Sequence, residues 1–242
     1  MLFNRLETFT ELSEQERICL GRLGGTIHQY AARSVIRRQG DPVDEIYALQ
    51  SGWVTGSFDL KDGRRQTVKV HLPGDMLGAP SLAMERAGET LTSITPVALR
   101  AIRLSSLTTL FQDHPRLTAA LFLCAQQERF FLMERLASIG QSRAISRFAA
   151  LLLDLADRLS MGLADRLTSF ELPLTQQEMA EILGITTVHM NRIGQQLIRT
   201  SIIQRDHRLL TLLDTAELAK LSCMPARNWV HRPAWLNALA PA

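Results

Sequence analysis

Five side chains on one short segment could recognise the edges of nucleic-acid bases. Arg192 can donate two parallel hydrogen bonds, the geometry that guanine O6 and N7 accept. Asn191 can pair with adenine or hold a phosphate, and His189 can donate to an acceptor on a base or a phosphate. Val188 can contact a thymine methyl group, and Thr187 completes the candidate base-reading set. The alternative interpretation is that His189 and Asn191 are solvent-exposed helix residues without a role in binding.

The segment from Leu174 to Arg199, which contains these residues, has the pattern of a helix-turn-helix. Thr175 is a good N-cap, and Glu178 three residues later completes a capping box. Gly184 suits a sharp turn with positive φ, and Thr186 can cap the second helix. The positions that must pack between the helices are small or apolar, namely Met179, Ala180, Leu183, Ile185, Met190 and Ile193. An ordinary helical hairpin is the alternative.

Positive charge accumulates after the turn, although the net charge of the whole chain is only +3. Two short apolar strands between Ser201 and Leu212 flank a polar turn, which predicts a β-hairpin and hence a winged helix. The expected phosphate contacts, which position a protein without specifying sequence, are Thr175, Gln176, Thr186, Arg199, Arg205, His207 and Arg208. A solvated basic surface is the alternative.

The region from about Ile27 to Arg103 is predicted to be β-rich. Turn signals recur along it, and Asp62-Gly63 is a strong hairpin signal that joins Val54–Leu60 to Gln66–Leu72. The second of these strands alternates, which places Val68, Val70 and Leu72 on one face. Strands at this spacing indicate an antiparallel sandwich or roll.

A long helix is predicted from Pro115 to Ile139, where neither glycine nor proline interrupts the chain. It carries more apolar surface than one neighbour covers, which favours a dimerisation helix packed partly as a coiled coil. A long core helix within one subunit is the alternative. Gly140 is expected to bend the chain before another helix, Ile145–Leu159. The expected dimer contacts are Leu117, Leu121, Cys124 and Phe131.

Composition excludes several classes of protein. No apolar run approaches the roughly 20 residues that span a bilayer, and the N-terminus lacks a secretory signal, so a cytoplasmic location is expected. Cys19, Cys124 and Cys223 lie far apart, without zinc or iron–sulfur spacing. The sequence also lacks a P-loop, a nucleophile elbow and a dinucleotide-binding glycine motif. We therefore predict no enzyme activity, no metal and no cofactor.

The order of these elements resembles the Crp/Fnr family, that of the cyclic-AMP receptor protein and the fumarate–nitrate regulator, over roughly residues 10 to 220. The matching text is Gln39-Gly40-Asp41-Pro42, Ile46–Gly52, Pro73–Gly78, Leu174–Ala180, Leu183-Gly184-Ile185 and Asn191-Arg192. The resemblance implies an α+β fold with an N-terminal antiparallel β-roll, like a cyclic-nucleotide-binding jelly roll. A long dimerisation helix and a C-terminal winged helix-turn-helix follow.

The implied domains are a β-roll sensor at 1–112, a dimerisation helix at 113–139, a winged helix-turn-helix at 140–221 and a C-terminal tail at 222–242. The resemblance also implies a transcription regulator that binds a near-palindromic DNA site as a homodimer. Its candidate partners are double-stranded DNA, a second copy of the chain, RNA polymerase and an unknown small-molecule effector. A ligand-sensing module that regulates a protein partner is the alternative function.

The expected effector pocket departs from that of cyclic-nucleotide binders. Such a pocket needs a carboxylate for the ribose hydroxyl group and an arginine for the cyclic phosphate. Gly78 is followed by Ala79, which has no carboxylate, and Arg86 is the only arginine nearby, at a spacing that suits a solvent-facing side chain. We therefore expect no response to cyclic AMP.

Val188 stands where many family members have a glutamate that reads cytosine, so the target site should differ from theirs.

Overall fold

The computed structural model describes residues 2–141, 143–161, 163, 165–225 and 227–239. The chain forms two compact units. Unit 1 comprises Met1–Arg129 with Asn228–Ala242, and unit 2 comprises Phe130–Arg227. No helix within these described residues is both long and apolar enough to cross a membrane.

Unit 1 is built on a β-roll of two four-stranded antiparallel sheets, as the turn spacing predicted. The strands are β1 (Ile27–Tyr30), β2 (Val35–Arg37), β3 (Glu45–Ser51), β4 (Val54–Asp59), β5 (Arg65–His71), β6 (Met76–Leu77), β7 (Thr90–Ser93) and β8 (Val97–Arg103). The strand orders in the two sheets are β1-β8-β3-β6 and β2-β7-β4-β5.

The β4–β5 hairpin forms at Asp62-Gly63, where Gly63 has φ 82°. One detail of its predicted alternation is wrong. The pairing passes from Gly56 opposite Lys69 to Ser57 opposite Thr67, so Val68 is left over as a bulge. Because a bulge breaks the period of two, Thr67 is buried and Val68 is only half-buried.

Helices precede and follow the roll in unit 1, and β3 separates two apolar cores. They include α1 (Leu2–Glu7), α2 (Glu14–Leu23), α3 (Leu104–Asp113) and the start of α4 (Pro115–Gln141). Alternate β3 side chains point to opposite faces. Ile46 and Ala48 therefore join the core under the helices, whereas Tyr47 and Leu49 join the core inside the roll.

Several buried charges in unit 1 are paired with one another. Arg5 on α1 forms ion pairs with Asp75 and, at 3.0 Å, with Glu128 on α4. Lys69 on β5 reaches the other oxygen of Glu128 at 2.6 Å. Burial alone would lower the pKa of Arg5, but Asp75 and Glu128 raise it above its ordinary value. The network joins α1, the roll and α4.

Part of the predicted tail packs against unit 1. Leu236, on the short helix α9 (Ala234–Asn237), has 0% exposed surface and belongs to the core beneath α1 and α2. The backbone N–H of Arg232 donates to Thr8 O at 3.3 Å, and its guanidinium pairs with Glu11. Leu239 packs partly against the same core. Periodicity could not reveal this, because two leucines in so short a segment leave no pattern. Residues 240–242 lie outside the described residues.

Two predicted dimer contacts on α4 are wrong. Leu117 has 0% and Cys124 8% exposed surface, and both lie in the core of unit 1. Leu121 packs partly against the same core. Phe131 is half-buried, and the Arg227 guanidinium lies 4.5 Å from its ring centroid. The apolar stripe chosen from the sequence is thus mostly covered by the chain itself.

Unit 2 contains the second part of α4 and a small winged-helix fold. The sequence predicted that Gly140 bends the chain after the long helix. In the structure, Gly140 lies within α4, which ends one residue later at Gln141. The remaining elements are α5 (Ala144–Leu159), β9 (Ser169–Glu171), α6 (Gln176–Leu183), α7 (Thr187–Arg199), β10 (Ile203–Asp206), β11 (Leu209–Leu212) and α8 (Thr215–Ser222). Strands β10, β11 and β9 form one antiparallel sheet in that order.

Candidate DNA-binding surface and roll interior

Helix α6 begins with the predicted capping box. Thr175 Oγ1 accepts a hydrogen bond from the Glu178 N–H at 3.2 Å, and Glu178 Oε2 accepts one from the Thr175 N–H at 2.8 Å. Each side chain therefore satisfies an N–H group that the first helical turn leaves without a helical partner.

The turn between α6 and α7 depends on Gly184. This residue has φ 65° and ψ 42°, the left-handed conformation that glycine adopts without steric cost. A Cβ atom at this position would meet no atom within 4 Å. The requirement for glycine is therefore conformational rather than a matter of space.

Helices α6 and α7 pack through most of the residues expected from the sequence. Ile185 is the exception among them, since it is only half-buried. The structure adds two core residues to the prediction, Ile182 and Leu197, with 2% and 1% exposed surface. The confirmed buried residues are Met179, Ala180, Leu183, Met190 and Ile193.

The start of α7 presents a polar face to solvent. Thr186 Oγ1 accepts from the His189 N–H at 3.2 Å and caps the helix as predicted. Val188 is 82% exposed, and Asn191 and Arg192 are also exposed. Asn191 Nδ2 donates to Gln176 Oε1 at 3.1 Å, which holds the amide of Asn191 against the start of α6.

Gln195 shares this outer face but was absent from the predicted set. It is exposed and follows Val188 and Arg192 at spacings of seven and three residues, so the helical period alone could have identified it. Arg199 continues the same stripe to the end of α7 and is exposed.

Strands β10 and β11 form the predicted hairpin, the wing, and Arg205 on β10 makes hydrogen bonds within the protein. Arg205 Nε donates to His207 O at 3.1 Å, and Nη2 donates to Leu174 O at 3.4 Å. Two of its donor groups therefore tie the wing turn to the segment before α6. His207 has φ 50° at the tip, and both His207 and Arg208 are exposed.

Gly78, Ala79 and Arg86 were the candidate effector-pocket residues, and Arg86 faces solvent, as its spacing in the sequence suggested. It is exposed, and its Nη1 donates to Gly40 O at 3.0 Å on the surface of the roll. Arg37, which was not among the predicted residues, is buried beside Gly78. A Cβ atom on Gly78 would lie 2.5 Å from Arg37 Nη2, and the φ of 78° at Gly78 is the backbone conformation that requires glycine.

A buried carboxylate occupies the same interior. Glu89 is 6% exposed, and burial raises its pKa above the ordinary value, although Lys69 and Arg37 act in the opposite direction. Within the described part of the chain, no donor reaches Glu89 Oε1. A Cβ atom on Gly56 would lie 2.5 Å from Glu89 Oε2, which shows how closely β4 approaches this carboxylate.

Comparison with known proteins decides the family. The sequence matches the family model of the cyclic nucleotide-binding domain over residues 27–114 and that of the Crp-like helix-turn-helix domain over residues 146–221. It is 30% identical over 187 residues to the nitrogen fixation regulation protein FixK of Rhizobium meliloti (strain 1021), covering 77% of this chain and 82% of that protein. The chain belongs to the Crp/Fnr family.

Other relatives of this Crp/Fnr protein agree. The transcriptional activator protein FnrL of Cereibacter sphaeroides is 28% identical over 177 residues, which cover 72% of this chain and 71% of that protein. The solved structure of FixK2 from Bradyrhizobium japonicum matches the fold with a TM-score of 0.73 at 23% identity, over 83% of this chain and 98% of that one. The predicted fold class is confirmed.

This Crp/Fnr protein is a DNA-binding transcription regulator with a cyclic-nucleotide-binding-like sensing domain. Its relatives are regulators rather than enzymes, which agrees with the prediction from motifs. The helix-turn-helix described above lies within the matched Crp-like domain, and the roll within the matched cyclic nucleotide-binding domain.

The conformation of Gly184 generates the first testable prediction. Gly184→Ala should destabilise unit 2 by about 1–2 kcal/mol, because an L-residue in the left-handed region is strained by that amount. Gly184→Asn should cost less, since asparagine tolerates this region. Calorimetric unfolding of both variants is the measurement. Equal stability of Gly184→Ala and the unmodified protein would contradict the role of the turn.

Proposed function

We propose that the chain binds a near-palindromic operator as a homodimer, with the exposed N-terminal half of α7 in the major groove. The observation that carries this proposal is the polar face of α7, held by a capped and tightly packed helix-turn-helix. In such domains this end of the second helix meets base edges. The roll is proposed to sense an effector other than a cyclic nucleotide.

Within this surface, Arg192 is assigned to guanine through a bidentate hydrogen bond. Asn191 presents the free part of its amide to a neighbouring base while Gln176 holds one N–H. Thr187, Val188 and His189 complete the set, and Val188 favours contact with a thymine methyl group over any hydrogen bond. These roles rest on position and exposure along α7.

Phosphate contacts are proposed around this set rather than within it. Thr175, Gln176 and Thr186 stand at the starts of the two helices, where backbone N–H groups favour anions. Arg199, His207 and Arg208 are exposed cations or polar groups at the end of α7 and on the wing. Arg205 is left out of the set, because its guanidinium donates to two backbone carbonyl groups.

A second copy of the chain is proposed to cover the exposed apolar stripe on α4. Positions 122, 125, 129, 132, 136 and 139 alternate spacings of three and four, which is the a/d pattern of a coiled coil. Phe122 is 58%, Leu132 47%, Leu136 73% and Ile139 50% exposed. Four large apolar side chains exposed at this spacing support a dimer interface along α4. This stripe lies one residue further along the helix than the predicted contacts Leu121 and Phe131.

The near-palindromic form of the operator follows from the proposed symmetry. A two-fold dimer presents two copies of α7, and two such helices read half-sites one helical turn of DNA apart. Each half-site contact is reinforced by the other through effective concentration. RNA polymerase is the proposed partner of the bound dimer. The proposed location is the cytoplasm, because bacterial DNA and RNA polymerase are found there.

The roll interior supports an effector other than cyclic AMP. Ala79 supplies no carboxylate for ribose, and Glu89 places a buried carboxylate where an anionic phosphate would be repelled. Arg37 fills the space beside Gly78 and donates to Glu45 O at 3.3 Å.

Base reading by Arg192 is tested by affinity for an operator selected from a random library with the unmodified protein. Arg192→Ala should weaken operator binding by about 1–3 kcal/mol while random-sequence binding changes little. Arg199→Ala is the matched control, because loss of a phosphate contact should weaken both and lower the salt slope by about one. Equal losses for Arg192→Ala on the two DNAs would refute its role.

Dimerisation is tested by a charge in the stripe. Leu136→Asp should convert the dimer to a monomer in sedimentation experiments and abolish operator binding, because a carboxylate would be buried at the seam. Ala137→Asp adds the same charge at an exposed position beside the stripe and should leave the dimer intact. A dimeric Leu136→Asp protein would show that α4 is not the seam.

Cyclic nucleotides should have no effect on this regulator. Calorimetry with cyclic AMP and with cyclic GMP should detect no binding at physiological concentrations, and operator affinity should be the same with and without each. A ligand shifts a two-state protein only through its difference in affinity for the two states. Micromolar binding with a tenfold rise in operator affinity, about 1.4 kcal/mol, would show that the interior opens.

A further inference from the structure

The end of α6 lacks two of the backbone partners that it needs. The last four carbonyl groups of an α-helix have no partner within the helix. The Gly184 N–H reaches the Ala180 and Glu181 oxygens, and the Ile185 N–H donates to Ala180 O at 3.0 Å. The turn therefore satisfies two of the four carbonyl groups by itself.

Two arginines from other helices satisfy the remaining pair. Arg135 on α4 donates through Nη2 to Ile182 O. Arg147 on α5 donates through Nε to Leu183 O at 3.1 Å. Positive charge at a helix C-terminus is also favoured by the helix dipole. All four carbonyl groups that precede the turn are thus accounted for, two of them by side chains from outside the motif.

Arg135 is held in place by its surroundings in unit 2. It is half-buried, and burial lowers its pKa while the nearby Asp154 acts in the opposite direction. Asp154 also pairs with Arg227 at 3.0 Å, and Arg227 pairs with Glu134 at 2.8 Å. A partly buried guanidinium in such a network has few alternative positions, so the carbonyl group that it binds is fixed relative to α4.

We propose that Arg135 and Arg147 are positioning residues for DNA recognition. They fix the end of α6, the turn at Gly184 follows directly, and the turn sets the direction of α7. Arg135 thereby connects the long helix to the recognition helix. This inference rests on the proposed reading of bases by α7, and it assigns neither arginine to DNA itself.

Specific binding should suffer more than non-specific binding when this support is lost. A hydrogen bond to a base edge requires good distance and angle. Long basic side chains can still reach phosphates after a small tilt of α7, because they are flexible and the attraction is electrostatic. The ratio of operator affinity to random-sequence affinity therefore reports the orientation of α7, whereas a merely structural role would change both together.

The experiment compares full-length Arg135→Ala, Arg135→Lys, Arg135→Gln and Arg147→Ala with the unmodified protein. Arg143→Ala is the matched control, since Arg143 is exposed just before α5 and its removal costs the same charge. Affinities for the selected operator and for random DNA are measured at one salt concentration. Sedimentation gives the oligomeric state, and hydrogen exchange reports the Gly184 and Ile185 amides.

Arg135→Ala should weaken operator binding about tenfold, because the energy of one hydrogen bond from a charged donor no longer favours the orientation of α7 that reads bases. Random-sequence affinity and dimerisation should stay within about twofold, as for Arg143→Ala. Exchange at Gly184 and Ile185 should accelerate. Arg135→Lys should restore most of the specificity, and Arg135→Gln, a neutral donor, should restore less.

Several outcomes would overturn the inference. These are equal losses on operator and random DNA, an unchanged operator affinity, or a Lys variant as defective as the Ala variant. If Arg135→Ala does not fold, the comparison of Lys with Gln decides, and equal specificity of the two would refute a role for the charge. An unmodified protein that selects no sequence would instead refute the proposed base reading, and with it the role of both arginines.

Discussion

An α-helix returns to the same face after 3.6 residues, so a helix of 27 residues offers several stripes to different neighbours. In α4 one stripe, with Leu117 and Cys124, completes the core of unit 1. Glu128 receives the buried cations of the roll network. Arg135 supports the end of α6, and the stripe through Leu136 stays open. A shift of one residue along α4 would misplace these three sets of contacts and the exposed stripe at the same time.

The helix-turn-helix combines local and distant sources of order. Capping by Thr175 and the left-handed Gly184 are determined within a few residues. The contacts between α6 and α7 then bury apolar surface that the isolated helices would expose to water, which stabilises the motif. The carbonyl groups at the end of α6 need donors that the motif lacks, and Arg135 and Arg147 supply them. A motif that is readable from sequence is thus completed by residues 47 and 36 positions away.

Two charged side chains lie buried in the roll, each close to a glycine. The guanidinium of Arg37 lies beside Gly78, and the carboxylate of Glu89 lies beside Gly56. Glu89 carries a desolvation cost that the observed neighbours only partly offset, since no described donor reaches its Oε1. The proposal of an effector other than a cyclic nucleotide rests on this carboxylate, which in its charged form would repel an anionic phosphate.

The sequence by itself determined the features whose causes are local. The capping box, the turn glycine, the hairpin at Asp62-Gly63 and the order of elements are short-range patterns, and they sufficed for the fold class and the family. Tertiary structure decided which face of α4 is buried, where Arg205 and Arg37 point, and that Leu236 anchors the C-terminal segment. These depend on partners distant in the chain, and periodicity shows that a helix has an apolar face without showing which neighbour covers it.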